Sequence, residues 1–92
     1  MKIKENEELY NIIKKLGINT DELSNSFRGS ITAKLNLENG INIVKENIEI
    51  GKKRNSQKKK YEELEKILKQ IEKEQIDEKK VKKVLRIILE FW

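Results

Sequence analysis

Ten consecutive residues, Gly51 to Lys60, read GKKRNSQKKK and hold six basic side chains with no acid. Ammonium and guanidinium groups at that density suit the holding of phosphate or another polyanion. No aromatic lies within the ten, so stacking on single-stranded bases is poorly served and duplex phosphate is the better match. Covalent chemistry has little to draw on. The chain contains neither His nor Cys, which removes the commonest general base, the commonest metal ligand and any thiolate. The glycines at 17, 29, 40 and 51 stand apart from one another, so no glycine-rich phosphate loop is present. The carboxylates are interleaved with lysines in the manner of solvated helical ion pairs. The expectation is a binding protein with no catalytic residues, no metal and no cofactor.

The charge distribution sharpens this. Residues 1–50 carry net −1 and residues 61–92 net zero, so the +6 of residues 51–60 accounts for the whole formal charge of +5. A chain balanced elsewhere that gathers positive charge in one segment points to a local anionic partner. Three occupants are open for that segment: solvent alone, phosphate, or an acidic protein.

The elements that must position these cations are helices. There is no Pro, aromatics are 5 % of the chain, and Lys, Glu, Ile and Leu dominate. At 92 residues the chain is one domain, with an N-terminal helical part over 1–50, a basic connector over 51–60 and a helical element over 61–92. Residues 5–16 place Leu9, Ile12, Ile13 and Leu16 on one face, with glutamates first, lysines last and Gly17 as the stop. Thr20 is the expected cap of the next helix, which runs over 20–35 or breaks at Arg28-Gly29-Ser30. Over 30–50, Leu37, Ile41, Val44 and Ile48 favour a helix, while Asn39-Gly40 keeps a short hairpin open. Tyr61, Leu64, Leu68 and Ile71 form a coiled-coil type seam with Ile67 beside it. Asp77 caps a last helix whose Val81, Val84, Leu85, Ile88 and Phe91 share a face. Ile87, Leu89 and Trp92 widen that face beyond one helix contact. The architecture is all-α, a small bundle of about five helices closed by a C-terminal antiparallel pair.

A helix beginning after Ser56 would put Lys58, Lys59 and Lys60 in its first turn, where the dipole repels cations. Either one helix runs through from about Ile41 to Gln75, or the segment is a loop kept for an anion.

The stretch GINTDELSNSFRGS from Gly17 resembles the opening of lambda-repressor-like helix-turn-helix regulators. Gly17, Ile18, Asp21, Glu22, Leu23 and Ser24 fall in register, and Leu37-Glu38-Asn39-Gly40 is similar to the close of that family's recognition helix. The resemblance covers about residues 9–40. It departs at Arg28, where the turn glycine belongs, and at Lys34, where an aliphatic residue belongs. It implies a recognition helix over SITAKLNLE with Thr32, Lys34 and Asn36 toward bases. Arg28, Lys52, Lys53, Arg54, Lys58, Lys59 and Lys60 would then hold phosphates.

The expected function is a small DNA-binding regulator or accessory protein of the kind mobile elements encode, acting as a homodimer on double-stranded DNA. No apolar run is long enough for a membrane span and the start MKIKENEEL is too polar for a signal peptide, so a soluble cytoplasmic protein is expected. The alternative is a helical protein-binding module, such as an antitoxin, immunity protein or phage-encoded inhibitor, using the apolar C-terminal face. In either case Leu64, Leu68, Ile71, Leu85, Ile88, Phe91 and Trp92 are the candidate interface residues, between helices, between protomers or toward a partner.

Overall fold

The computed structural model describes the backbone of residues 3–74 and 77–91 and the side chains of 7–74 and 77–90. Its elements are α1 (Ile3–Leu16), α2 (Asn25–Leu35), α3 (Gly40–Lys52), α4 (Lys58–Glu72) and α5 (Glu78–Phe91). No strand occurs among the described residues, so Asn39-Gly40 leads into α3 and does not turn a hairpin.

The boundaries have local causes. α1 ends at Gly17, whose φ of 60° is the left-handed stop that favours glycine. Ser24 caps α2, its Oγ accepting from the Phe27 amide at 3.3 Å. Thr20, the expected cap, is buried in the connection instead. The Leu23 amide bonds back to the Thr20 carbonyl at 3.0 Å, closing a turn before any helix begins. α2 then runs unbroken through Arg28-Gly29-Ser30. Asp77 does cap α5, its Oδ1 accepting from the Lys80 amide at 2.9 Å.

One hydrophobic core takes residues from all five helices. Lys45 pairs with Glu72 and Lys52 with Glu65. Moving seven residues forward on α3 is thus moving seven backward on α4, and the two helices are antiparallel. α5 packs against each of the other four helices, which is why its apolar face is wider than a two-helix seam. Leu64, Leu68, Ile71, Leu85 and Ile88 are all buried within the single chain. Residues 61–92 have two expected roles, dimerisation and packing, and these five side chains serve packing within the bundle. The Phe91 side chain and Trp92 lie outside the described residues. Leu37, expected on the apolar row of the next helix, is 53 % exposed because it falls in the turn before α3 begins.

Two glycines set the helix approaches. A Cβ on Gly40 would overlap the backbone carbonyl of Leu35, with Leu35 Cα only 2.8 Å away. A Cβ on Gly51 would run into the ring of Tyr61. That ring also meets Phe27 edge-to-face at 5.1 Å. Gly51 thereby lets α3 lie against α4 just where the basic segment begins, and Tyr61 ties that end to the start of α2.

Candidate functional site

The basic segment forms the tip of the α3–α4 hairpin. α3 carries Lys52 in its last turn, residues 53–57 make the connection, and α4 begins at Lys58. A single helix through the segment is excluded. The alternative of a loop holds only for residues 53–57, because Lys58, Lys59 and Lys60 do occupy the first turn of α4. The connection is a run of tight turns: Lys53 N to Ile50 O at 3.2 Å, Arg54 N to Gly51 O at 3.1 Å and Gln57 N to Arg54 O at 3.1 Å. The cations therefore stand on a folded platform.

Electrostatically the tip divides in two. Lys52 is turned back into the hairpin, with Nζ 2.8 Å from Glu65 and 3.5 Å from Glu49. The hydrogen bond to Glu65 raises the Lys52 pKa above its ordinary 10.5, and the same bond holds Glu65 below its ordinary 4.5. Lys53, Arg54, Lys58 and Lys59 are exposed and Lys60 is half-exposed, and none of the five has a carboxylate within ion-pair distance among the described residues. α4 adds its own positive end. Gln57 makes no side-chain hydrogen bond to the first turn, and no acid lies in that turn. The arrangement can hold anions by charge and by amide donors.

The Lys52–Glu65 pair makes a pH prediction. A carboxylate whose pKa is lowered on folding stabilises above its unfolded value, and that support is lost as pH falls through the lowered one. Glu65→Gln is expected to melt below wild type at pH 7, the gap closing once the pH is well under 4.5. Circular dichroism melts across pH 3–7, a range of about four units chosen to bracket that value, check this.

The other sequence-derived candidates do not join the tip. Arg28 spans the connection before α2, donating from Nε to Leu23 O and from Nη2 to Thr20 O and Oγ1, each at 3.1 Å. It braces a loop, which a phosphate contact would have to break. Thr32 donates to Arg28 O at 2.8 Å and Lys34 to Ser30 Oγ at 3.0 Å, both along α2. Asn36 is the C-cap of α2. The SITAKLNLE segment is the second half of α2 and the turn after it, so no separate recognition helix spans 30–38. α3, the next helix, exposes Glu46 and Glu49, and its Lys45 is paired with Glu72, which makes a poor face for a phosphate-lined groove.

One run of cations escaped the sequence reading. Residues 79–86, KKVKKVLR, hold five basic side chains and no acid. Summing charge over the whole of 61–92 hid them behind the glutamates of α4. A window of eight residues would have found them.

No protein-family model matches this chain, and no curated protein or solved structure matches it.

Proposed function

We propose that this protein is a small nucleic-acid-binding protein that grips the phosphates of duplex DNA with the α3–α4 tip. One observation carries this: Lys53 and Arg54 in the connection and Lys58, Lys59 and Lys60 in the first turn of α4 stand at one folded tip without carboxylate partners among the described residues. Along the hairpin behind them, Lys45, Lys52, Lys66 and Lys69 are all paired. Lys58, Lys59 and Lys60 are also held where the α4 dipole disfavours them, a cost that an anion at the tip offsets. Recognition is of backbone charge, since no helix places base-reading side chains beside the tip; an accessory or architectural role fits this better than a sequence-specific regulator. The protein-partner alternative rests on Phe91 and Trp92, whose side chains lie outside the described residues; Val81, Val84, Leu85, Ile88 and Leu89 of the same face are buried within the chain.

With about four phosphates engaged, log K against log salt should have a slope of roughly −3.6 on duplex DNA. Fluorescence anisotropy on a random-sequence duplex measures it. No affinity at low salt would remove the proposal.

A further inference from the structure

We infer that Ile50 is an apolar wedge, which enters a base step of the duplex from the minor-groove side while the cations beside it hold the flanking phosphates, and so bends the DNA. The inference rests on the duplex-binding function proposed above and adds to it a mode of contact.

Ile50 stands in the last turn of α3 and is 57 % exposed. Only Leu37 joins it as an exposed large hydrophobic side chain among the described residues, and Leu37 lies in the turn before α3. The other exposed positions of α3 are Asn42, Lys45, Glu46 and Glu49, all polar or charged. Folding gives no reason for an isoleucine there. A β-branched residue loses rotamer freedom in a helix, and the contacts that offset this in a core are reduced at an exposed site. A lone exposed isoleucine far from any site would need no explanation. This one adjoins the cation cluster.

Helix geometry sets its neighbours. Lys53 keeps right-handed helical backbone, with φ −82° and ψ −11°, and its amide donates to the Ile50 carbonyl at 3.2 Å. Ile50, Lys53 and Arg54, at i, i+3 and i+4, therefore share one face, and both cations are exposed. Lys52, two residues from Ile50, is on the far side of the helix, where it pairs with Glu65 of α4. Ile50 thus looks away from α4. Next to it Gly51 is buried, and a Cβ there would run into the Tyr61 ring. The backbone carrying Ile50 is seated directly on α4, a firm base for a side chain pressed into a stack.

Charge limits how the duplex can lie. Glu46, one turn behind Ile50 on the same face, is exposed and repels phosphate. A duplex crossing the tip meets Ile50, Lys53 and Arg54 and stops short of it. The major groove, about 12 Å wide, would admit α3 itself and with it Glu46. An α-helix about 10–12 Å across cannot enter a minor groove about 6 Å wide, so there α3 stays outside and its side chain alone penetrates. An aliphatic side chain between base pairs unstacks them and kinks the duplex toward the major groove. This suits recognition of backbone charge, because the kink favours whichever steps unstack most readily, the pyrimidine–purine ones.

The test is fluorescence energy transfer between dyes on the two ends of a duplex of about 25 base pairs with a central TA step, run beside anisotropy on the same DNA. Wild type is expected to bring the ends closer at saturation. Ile50→Gln, a good helix former at an exposed position, should melt no lower than wild type and keep the salt slope. It should bind about fivefold to tenfold more weakly and leave the duplex straight. Ile50→Met should bend the DNA as wild type does, because an unbranched apolar side chain can still insert. Saturating wild type that leaves the duplex straight overturns the inference while the tip proposal stands. Equal bending by Ile50→Gln overturns it too. So does a loss of bending that comes with a fall in particle mass by light scattering, which would place Ile50 between two copies of the chain. Absence of any wild-type binding removes the tip proposal first, and this one with it.

Discussion

Gly40→Ala is expected to destabilise the fold by about 3 kcal/mol, near the upper end for an overpacked site. The added methyl would overlap the Leu35 carbonyl, with the Leu35 carbon at 2.6 Å and Cα at 2.8 Å. Backbone cannot rotate away as a side chain can, so the α2–α3 turn must open. Leu35 and Ile41, on either side of that turn, are both in the core. For a domain of this size, 1 kcal/mol corresponds to about 4–8 °C in melting temperature, so a fall of about 12–24 °C should appear in a thermal melt. Two other glycines serve as internal contrasts. The atoms nearest to a Cβ on Gly51 belong to the Tyr61 ring, a side chain that can shift, so the smaller cost of Gly51→Ala should be relieved in a Tyr61→Leu background. Gly29→Ala meets nothing in the interior of α2 and should stabilise by about 0.5–1 kcal/mol. A Gly40→Ala protein that melts like wild type would mean that the helices do not approach as described.

The second large effect joins stability to binding with opposite signs. Lys58→Gln/Lys59→Gln/Lys60→Gln should melt higher than wild type, because removing cations from the first turn of α4 recovers about 0.3–1 kcal/mol overall. The same variant should bind duplex DNA on the order of a thousandfold more weakly at 50 mM salt, about tenfold for each lost phosphate contact. A merely solvated lysine face predicts the gain in stability alone. Only a binding site explains why the better-folding sequence would be the poorer protein. Thermal melts and anisotropy on one preparation give both numbers.

Much of this fold could be read from residue types. The helical rows that hold Leu9 and Ile13, Ile41 and Ile48, Leu64 and Leu68, and Val84 and Ile88 all point inward, because spacing dictates which side chains share a face. Gly17 and Asp77 acted as boundaries because each works through its own nearest neighbours. What failed, or stayed open between alternatives, required knowledge of tertiary partners. Thr20 had the chemistry of a cap, but Arg28 and a preceding turn claimed it, and Ser24 was free to cap. Asn39-Gly40 carried a hairpin signal, yet its glycine serves a close approach to Leu35 that no local pattern reveals. The wide apolar face of α5 left open a second copy of the chain; Val81, Val84, Leu85, Ile88 and Leu89 of that face are buried within the bundle, and the Phe91 side chain and Trp92 lie outside the described residues.

The candidate site was legible as a cluster but not as a geometry. Lys52 counted equally with its neighbours in the sequence, and the antiparallel register gave it to Glu65. Thr32 and Asn36 seemed to belong to a recognition helix, but α2 continues unbroken through Gly29 to Leu35. The cations of residues 79–86 were missed by averaging charge over too long a window.

The proposed function requires the cations of the α3–α4 tip to meet duplex phosphate, and a salt titration tests that most directly. Wild-type protein on a random-sequence duplex should give a log–log slope of roughly −3.6, falling to about −0.9 once Lys58, Lys59 and Lys60 are replaced by Gln. Equal slopes for the two proteins, or no measurable affinity at low salt, would contradict it.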